Sequence, residues 1–348
     1  MARCAFLIPG DLELPTGGYA YDRRLLGLLS DYSVDVTHVA LPGSFPSPIP
    51  ADLTLTAAHV AALPEEIVLL IDGLAFGALP TSLLHVIRQP IVALCHHPLA
   101  LEHGIGAADA VRLSRSEREA LEFAQHIVVT GGETRTILVR DFSVPPERIT
   151  VAVPGVDPAP RATGTGEPVS LLAVGSVVPR KGYGVLIEAL AKVTSRNWQL
   201  TIAGASDRNT SETNRLRALI SDYKLDDRVQ LTGAVDETAL SLLYAKTDVF
   251  VMSSFFEGYG MVLAEAMARG LPIVTTRSGS AASSIPDSAA IKVTPQAVDE
   301  LAMALDRVIE DASLRQSMAR ESWLAGQQLP RWSETAEIVA GVIRKAAA

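Results

Sequence analysis

Short runs of Val, Ile and Leu alternate with stretches of helical periodicity twice over along this chain, and that alternation limits the fold more than any other feature. In the first half the apolar runs lie at residues 4–9, 34–41, 67–72, 91–96, 127–130 and 149–153. Helical patterns separate them, for example over 19–29 and 107–124. Runs this apolar need cover on both faces, which is the situation of parallel strands between helices. A second series follows at 171–174, 199–203, 229–231, 249–252, 273–276 and 290–293. The fold class expected is α/β, with two Rossmann-like doubly wound domains facing across a cleft. In such sheets ligands bind beyond the carboxyl ends of the strands.

Between the two series, residues 156–168 are rich in Pro, Gly and Thr and read as a linker. This divides the chain into an acceptor-side domain at 1–155, the linker, a donor domain at 169–328 and a closing helical segment at 329–348. Residues 1–155 contain no Lys, 10 Arg and 17 acidic residues, and all seven histidines precede position 127. The two halves therefore present different surface chemistry.

A formal charge of −9 argues against non-specific nucleic-acid binding, which needs clustered cations to neutralise phosphates. Two cysteines, Cys4 and Cys95, cannot build a disulfide framework or a Cys-based zinc site. The first apolar run is too short for a signal segment, and no window reaches the ~20 apolar residues of a bilayer span. A cytoplasmic protein is expected, with contact at the inner membrane face left open.

The most informative stretch is 248–276, DVFVMSSFFEGYGMVLAEAMARGLPIVTT. An apolar strand runs into Glu257-Gly258-Tyr259-Gly260, and a helix follows from Met261. Two glycines in four residues let the backbone turn tightly and approach a ligand. The helix start presents amides suited to an anion. Glu257 lies in the turn and Glu265 one to two turns into the helix. A second element, LLAVGSVVPRKGYGVLIEAL at 171–190, carries Arg180 and Lys181 on a loop after a strand, where they can pair with a diphosphate.

Glu257 and Glu265, with seven residues between them, match the E-x7-E motif of retaining GT-B glycosyltransferases, and EGYGMVLAEAMARGLPIV is similar to the longer signature of glycosyltransferase family 4 (group 1). The loop with Arg180 and Lys181 resembles that family's G-x-x-x-x-x-K-G segment. The resemblance implies a GT-B fold and a nucleotide-sugar donor, with Glu257 at the transferred sugar and Glu265 on the ribose. It further implies Arg180 and Lys181 on the pyrophosphate, and backbone amides of Gly258, Tyr259, Gly260, Met261 and Val262 around the sugar and diphosphate. Strand ends at Gly204 and Val235 resemble the family's nucleobase pocket, though a glycine ending the strand explains each stretch equally well. Gly17 and Gly18 resemble the early Gly-Gly loop that approaches the diphosphate. His96 takes the place of a family histidine close to the donor sugar, with His97 in reserve. Residues 329–333, LPRWS, resemble the closing Trp segment after which the last helix returns to the first domain. One departure is SAASSIPD after Gly279, where family members often carry a second Gly and a later Glu.

No D-x-D triplet, Walker A loop or G-x-G-x-x-G occurs. No cofactor is expected, and metal-independent stabilisation of the leaving group by Arg180, Lys181 and helix amides is. The adjacent histidines lack the spacing of a helical metal pair. Arg112, Arg115 and Arg118 lie about a turn apart and suit anionic lipid or an anionic acceptor, but Glu117, Glu119 and Glu122 interleave them as on a solvated helix. The expected activity is transfer of a hexose-type sugar from a UDP-sugar, favoured over a GDP-sugar on family habit, to a hydroxyl acceptor such as a lipid or glycan. The alternatives are a sugar-nucleotide epimerase and a non-catalytic sugar-nucleotide-binding module.

Overall fold

A computed structural model describes residues 1–101, 106–277, 279 and 285–348. The chain forms two compact units, one made of 1–155 with 330–348 and the other of 156–329.

The first unit is built on six strands: β1 (Ala2–Pro9), β2 (Val34–Leu41), β3 (Val68–Asp72), β4 (Ile91–Cys95), β5 (His126–Val129) and β6 (Ile149–Val151). They pair in the order β2-β1-β3-β4-β5-β6, all parallel. Leu7 sits in register with Val39 on one side and Ile71 on the other. The strands β3 and β4 are buried along their whole length. Their unbroken apolar character follows from that, since helices cover both faces. The chain leaves β1 for the edge and returns on the other side as β3, so the order reverses between these two strands.

The second unit repeats the scheme with β7 (Val169–Val174), β8 (Trp198–Ala203), β9 (Val229–Gly233), β10 (Val249–Met252), β11 (Ile273–Thr276) and β12 (Ala290–Val293). Their order is β12-β11-β10-β7-β8-β9, again all parallel. The reversal here falls between β7 and β10. Its core gathers Leu171, Leu186, Leu200, Val251 and Leu305, and each such side chain stabilises the fold by about 1.5–3 kcal/mol. Trp198 is fully buried, with the Arg228 guanidinium 4.3 Å above its ring.

Each strand expected from the pattern of apolar runs is present within two or three residues. The 156–168 segment behaves differently from a free linker. Ala162 N–H donates to the Arg269 carbonyl at 2.9 Å, and the Asp248 carboxylate accepts from the amides of Thr165, Gly166 and Ser170. Pro, Gly and Thr content reports the freedom of the chain before folding. It says nothing about an acceptor such as Asp248, more than eighty residues on, that ties the segment down.

The last helix, Trp332–Ala346, belongs to the first unit. Trp332 meets Tyr21 edge-on at 5.6 Å, and Thr335 donates to the Val153 carbonyl at 2.8 Å. Gly155 permits this approach, because a Cβ there would lie 2.1 Å from the Trp332 nitrogen. On the helix Ala107–Leu121, Arg112 pairs with Asp109 at 3.1 Å and Arg115 with Glu119 at 2.8 Å, as on a solvated helix, whereas Glu117, expected on that face, is buried. Among the described residues no helix is long and apolar enough to cross a membrane. The SAASSIPD segment begins in residues 280–284, which lie outside the described residues.

Candidate active site

In the second unit the loops after β7 and β10 emerge side by side because those strands are neighbours at the reversal of strand order. Pro179–Lys181 forms a single tight turn ended by Gly182, whose φ of +64° lies in the left-handed region. The two loops are bonded together: Phe255 N–H donates to the Arg180 carbonyl at 2.8 Å, and Ser253 Oγ to the Lys181 carbonyl at 2.9 Å.

Their side chains converge on one atom. Glu257 Oε1 accepts from Lys181 Nζ at 2.6 Å, from Arg180 at 2.9 Å and from Ser254 Oγ at 2.9 Å. Glu257 and Lys181 are each 8% exposed. Burial alone would push the Glu257 carboxyl up, but the Lys181 and Arg180 charges outweigh it and bring it down to about 2. Glu257 is therefore a carboxylate across the physiological range and is no proton donor. The structure thus brings together three of the residues expected at the site, and adds Ser254, which sequence reasoning missed.

Glu265 has separate partners. It lies on the helix Met261–Ala268, which opens from Gly260 at φ +76°. Tyr244 donates to Glu265 Oε2 at 2.8 Å, and the Arg269 guanidinium stands 4.5 Å over the Tyr244 ring. Burial pushes the Glu265 carboxyl upward against the Tyr244 hydrogen bond. Tyr244 was not singled out from the sequence, where it is one aromatic among the apolar residues of its helix. At Gly204 a Cβ would stand 2.1 Å from the Gly175 carbonyl oxygen, so close packing of adjacent strand ends is enough to require glycine there. Val235 is half-buried and packs against a second apolar cluster of this unit, which includes Leu263 and Ile285.

In the first unit, Thr16 caps the helix Gly17–Leu28 by accepting from the Tyr19 amide at 3.2 Å. A Cβ on Gly18 would lie 3.4 Å from the His96 ring, so the helix start rests against the imidazole. His96 follows β4. Its Nε2 lies 3.2 Å from Asp22 Oδ1 and 3.3 Å from Asp72 Oδ2. Both carboxylates are buried. Burial alone would lower the imidazole, yet the two carboxylates overcome it and its pKa rises well above the ordinary value. Asp22 also shifts upward, chiefly through burial. Neither aspartate was expected. They come together because β1, β3 and β4 are consecutive in the sheet. The signal for them was an acid closing a wholly apolar run (Asp72) and an acid on the buried stripe of a helix (Asp22).

Behind this cluster Glu117 is buried at 2% exposure, accepting from the Leu99 amide at 2.8 Å and facing Cys95 Sγ at 3.9 Å. Burial pushes its carboxyl up to about 8, against the Leu99 hydrogen bond. Between about pH 4.5 and 8 the native state keeps this proton while the unfolded chain loses it. Stability therefore falls as pH rises through that window, by at most about 1.4 kcal/mol per pH unit from this group. Glu117→Gln is expected to remove that slope in urea unfolding measured across the window. Identical slopes in both proteins would show that Glu117 is ionised in the fold.

Solved structures of the same architecture define the class. Sucrose-phosphate synthase from Thermosynechococcus elongatus matches with a TM-score of 0.85 at 21% identity over 99% of both chains. The Anabaena protein HepE, solved with UDP-glucose, matches with a TM-score of 0.78 at 17% identity over 99% of this chain and 100% of that one. The fold is thus the two-domain Rossmann-like GT-B fold.

The family description "Glycosyl transferases group 1" matches residues 160–322, and "Glycosyltransferase Family 4" matches residues 66–160. The chain belongs to the group 1, family 4 glycosyltransferases. An MMP alpha-(1->4)-mannosyltransferase from Mycolicibacterium hassiacum is 26% identical over 91% of this chain and 80% of its own length. A D-inositol 3-phosphate glycosyltransferase from Pseudarthrobacter chlorophenolicus is 30% identical over 64% of this chain, which spans about 56% of that protein.

Proposed function

We propose that this glycosyltransferase moves a hexose-type sugar from a nucleoside-diphosphate sugar to a hydroxyl acceptor, with retention of configuration and with protein cations and amides in place of a metal ion. The observation that carries the reading is the meeting of Lys181, Arg180 and Ser254 on Glu257, at the point where strand order reverses. Two cations with one carboxylate leave net positive charge there for a diphosphate. The amides of Gly258, Tyr259, Gly260, Met261 and Val262, around the helix start, add to it.

In this reading the bond between the anomeric carbon and the phosphate oxygen breaks as the acceptor oxygen bonds on the same face. The departing phosphate oxygen takes the acceptor proton, so no separate base is required. Glu257 orients the sugar hydroxyls and favours positive charge at the anomeric carbon. Glu265 holds the ribose, Gly204 and Val235 line the base, Gly17 and Gly18 approach the diphosphate, and His96 contacts the sugar. A UDP-linked donor is favoured over a GDP-linked one, a choice supported by the UDP-glucose bound to HepE. The acceptor is a lipid, a glycan or a small metabolite. The relative named for D-inositol 3-phosphate supports a small polar one. The protein works in the cytoplasm, with any membrane contact peripheral.

A panel of nucleotide sugars tests this. The correct donor, at about a hundred times its Kd, stabilises the native state by about 2.7 kcal/mol. That raises the thermal midpoint by roughly 5 °C. Failure of every nucleotide sugar to shift the midpoint would overturn the donor assignment. Epimerised nucleotide sugar in a donor-only incubation would overturn transfer.

A further inference from the structure

Two buried carboxylates share a single nitrogen of His96, and that arrangement decides what the ring can do. Asp22 and Asp72 are 0% and 1% exposed, and among the described residues neither has a Lys or Arg partner. Asp22 Oδ2 is buried without a hydrogen-bond partner there. Both acceptors face Nε2, so Nε2 carries a hydrogen in either state of the ring. The remaining question is whether Nδ1 carries one too.

We propose that Asp22 and Asp72 are positioning residues that hold His96 as an imidazolium, making its Nδ1–H a fixed hydrogen-bond donor to the sugar of the donor substrate and removing His96 as a base. The inference rests on the reading that His96 contacts that sugar. Above about pH 7, where Asp22 gives up its proton, two negative charges out of water need a counter-charge, and among the described residues the imidazole is the group beside them able to supply it. The other titratable neighbours do not. Tyr21 meets the ring edge-on at 5.4 Å, and its phenol donates to the Ala152 carbonyl. Cys95, next along β4, is pushed upward by burial and stays a neutral thiol. The backbone that carries the ring is held as well, since Thr130 and Thr134 both donate to the His96 carbonyl. Its side chain keeps 19% of its surface exposed, and Nδ1 has no partner among the described residues. A lone imidazolium would oppose the positive charge that develops at the anomeric carbon. With two carboxylates behind it the set is net negative, and it offers a strong donor without that penalty.

The test is the 15N spectrum of the histidine side chains in the full chain, titrated from about pH 5 to 9, with His96→Gln for assignment. Both His96 nitrogens are expected to stay protonated at about pH 8. In the Asp22→Asn/Asp72→Asn double variant the titration midpoint should fall by about two pH units. Asparagine at 72 keeps the Oδ1 that caps Leu74, and the wild-type spectrum needs no variant at all. In transfer assays the double variant should lose kcat at high pH with little change in KM. A bare Nδ1 at about pH 8 in the wild type overturns the proposal, as does an unchanged midpoint in the double variant. One Zn²⁺ bound per chain with loss of the ring protons would overturn it by making the cluster a metal site. Because the spectrum is read without substrate, it separates failure of this proposal from failure of the transferase reading.

Discussion

Glu257→Gln is expected to lower the transfer rate about a thousandfold and to cost about 3 kcal/mol of folding stability. The two effects have different origins. Catalysis loses the charge that favours a positive anomeric carbon. The fold loses the counter-charge for Lys181, which is buried and 2.6 Å from Glu257 Oε1. The buried ion cluster makes one substitution act on both. Wild-type Glu257 also stabilises the native state above its unfolded pKa near 4.5, and this contribution disappears as pH falls toward about 2. Urea unfolding from neutral pH down to about pH 3 should show that loss in the wild type and its absence in the variant. Initial-rate assays supply the other half. A variant as stable and as active as the wild type would remove Glu257 from both roles.

Gly182→Ala should cost about 2–4 kcal/mol and reduce transfer about a hundredfold, although alanine adds one carbon. At φ +64° an L side chain is strained, and the new Cβ would stand 2.3 Å from the Ser253 carbonyl oxygen and 2.9 Å from the Phe255 ring. The first contact is with backbone, so the loops after β7 and β10 must separate. Lys181 is the preceding residue, so its ammonium moves off Glu257 in the process. Gly132→Ala is the control, because a Cβ there meets nothing within 4 Å. Urea midpoints and transfer rates of the two variants should diverge sharply. Equal behaviour would mean the loop pair is loose enough to absorb the methyl.

What could be read without coordinates was local in the chain. Runs such as VLLID and IVALC announce strands because covered parallel strands are apolar throughout. EGYGMVLAE announces a turn and helix because glycine spacing and helical periodicity act over a few residues. Ser254 went unnoticed in the same stretch because a serine near a strand end has many roles. It reaches Glu257 only three residues on, but what makes that oxygen a meeting point is Lys181 and Arg180, 76 and 77 residues earlier. Gly204 shows the reverse case. It stands out in the sequence as a candidate ligand contact, while its packing against Gly175 by itself demands glycine.

The order of residues by itself determined the α/β class, the two alternating series, the family and the identities of Glu257, Glu265, Arg180, Lys181 and His96 as groups able to carry charge. Only the tertiary structure decided their partners: Lys181 and Arg180 on one oxygen of Glu257, Tyr244 on Glu265, and Asp22 with Asp72 on one nitrogen of His96. The physical reason is the order of strands in each sheet. Burial and charge pairing set the protonation state of each group, and both depend on side chains that parallel pairing brings together from positions tens of residues apart.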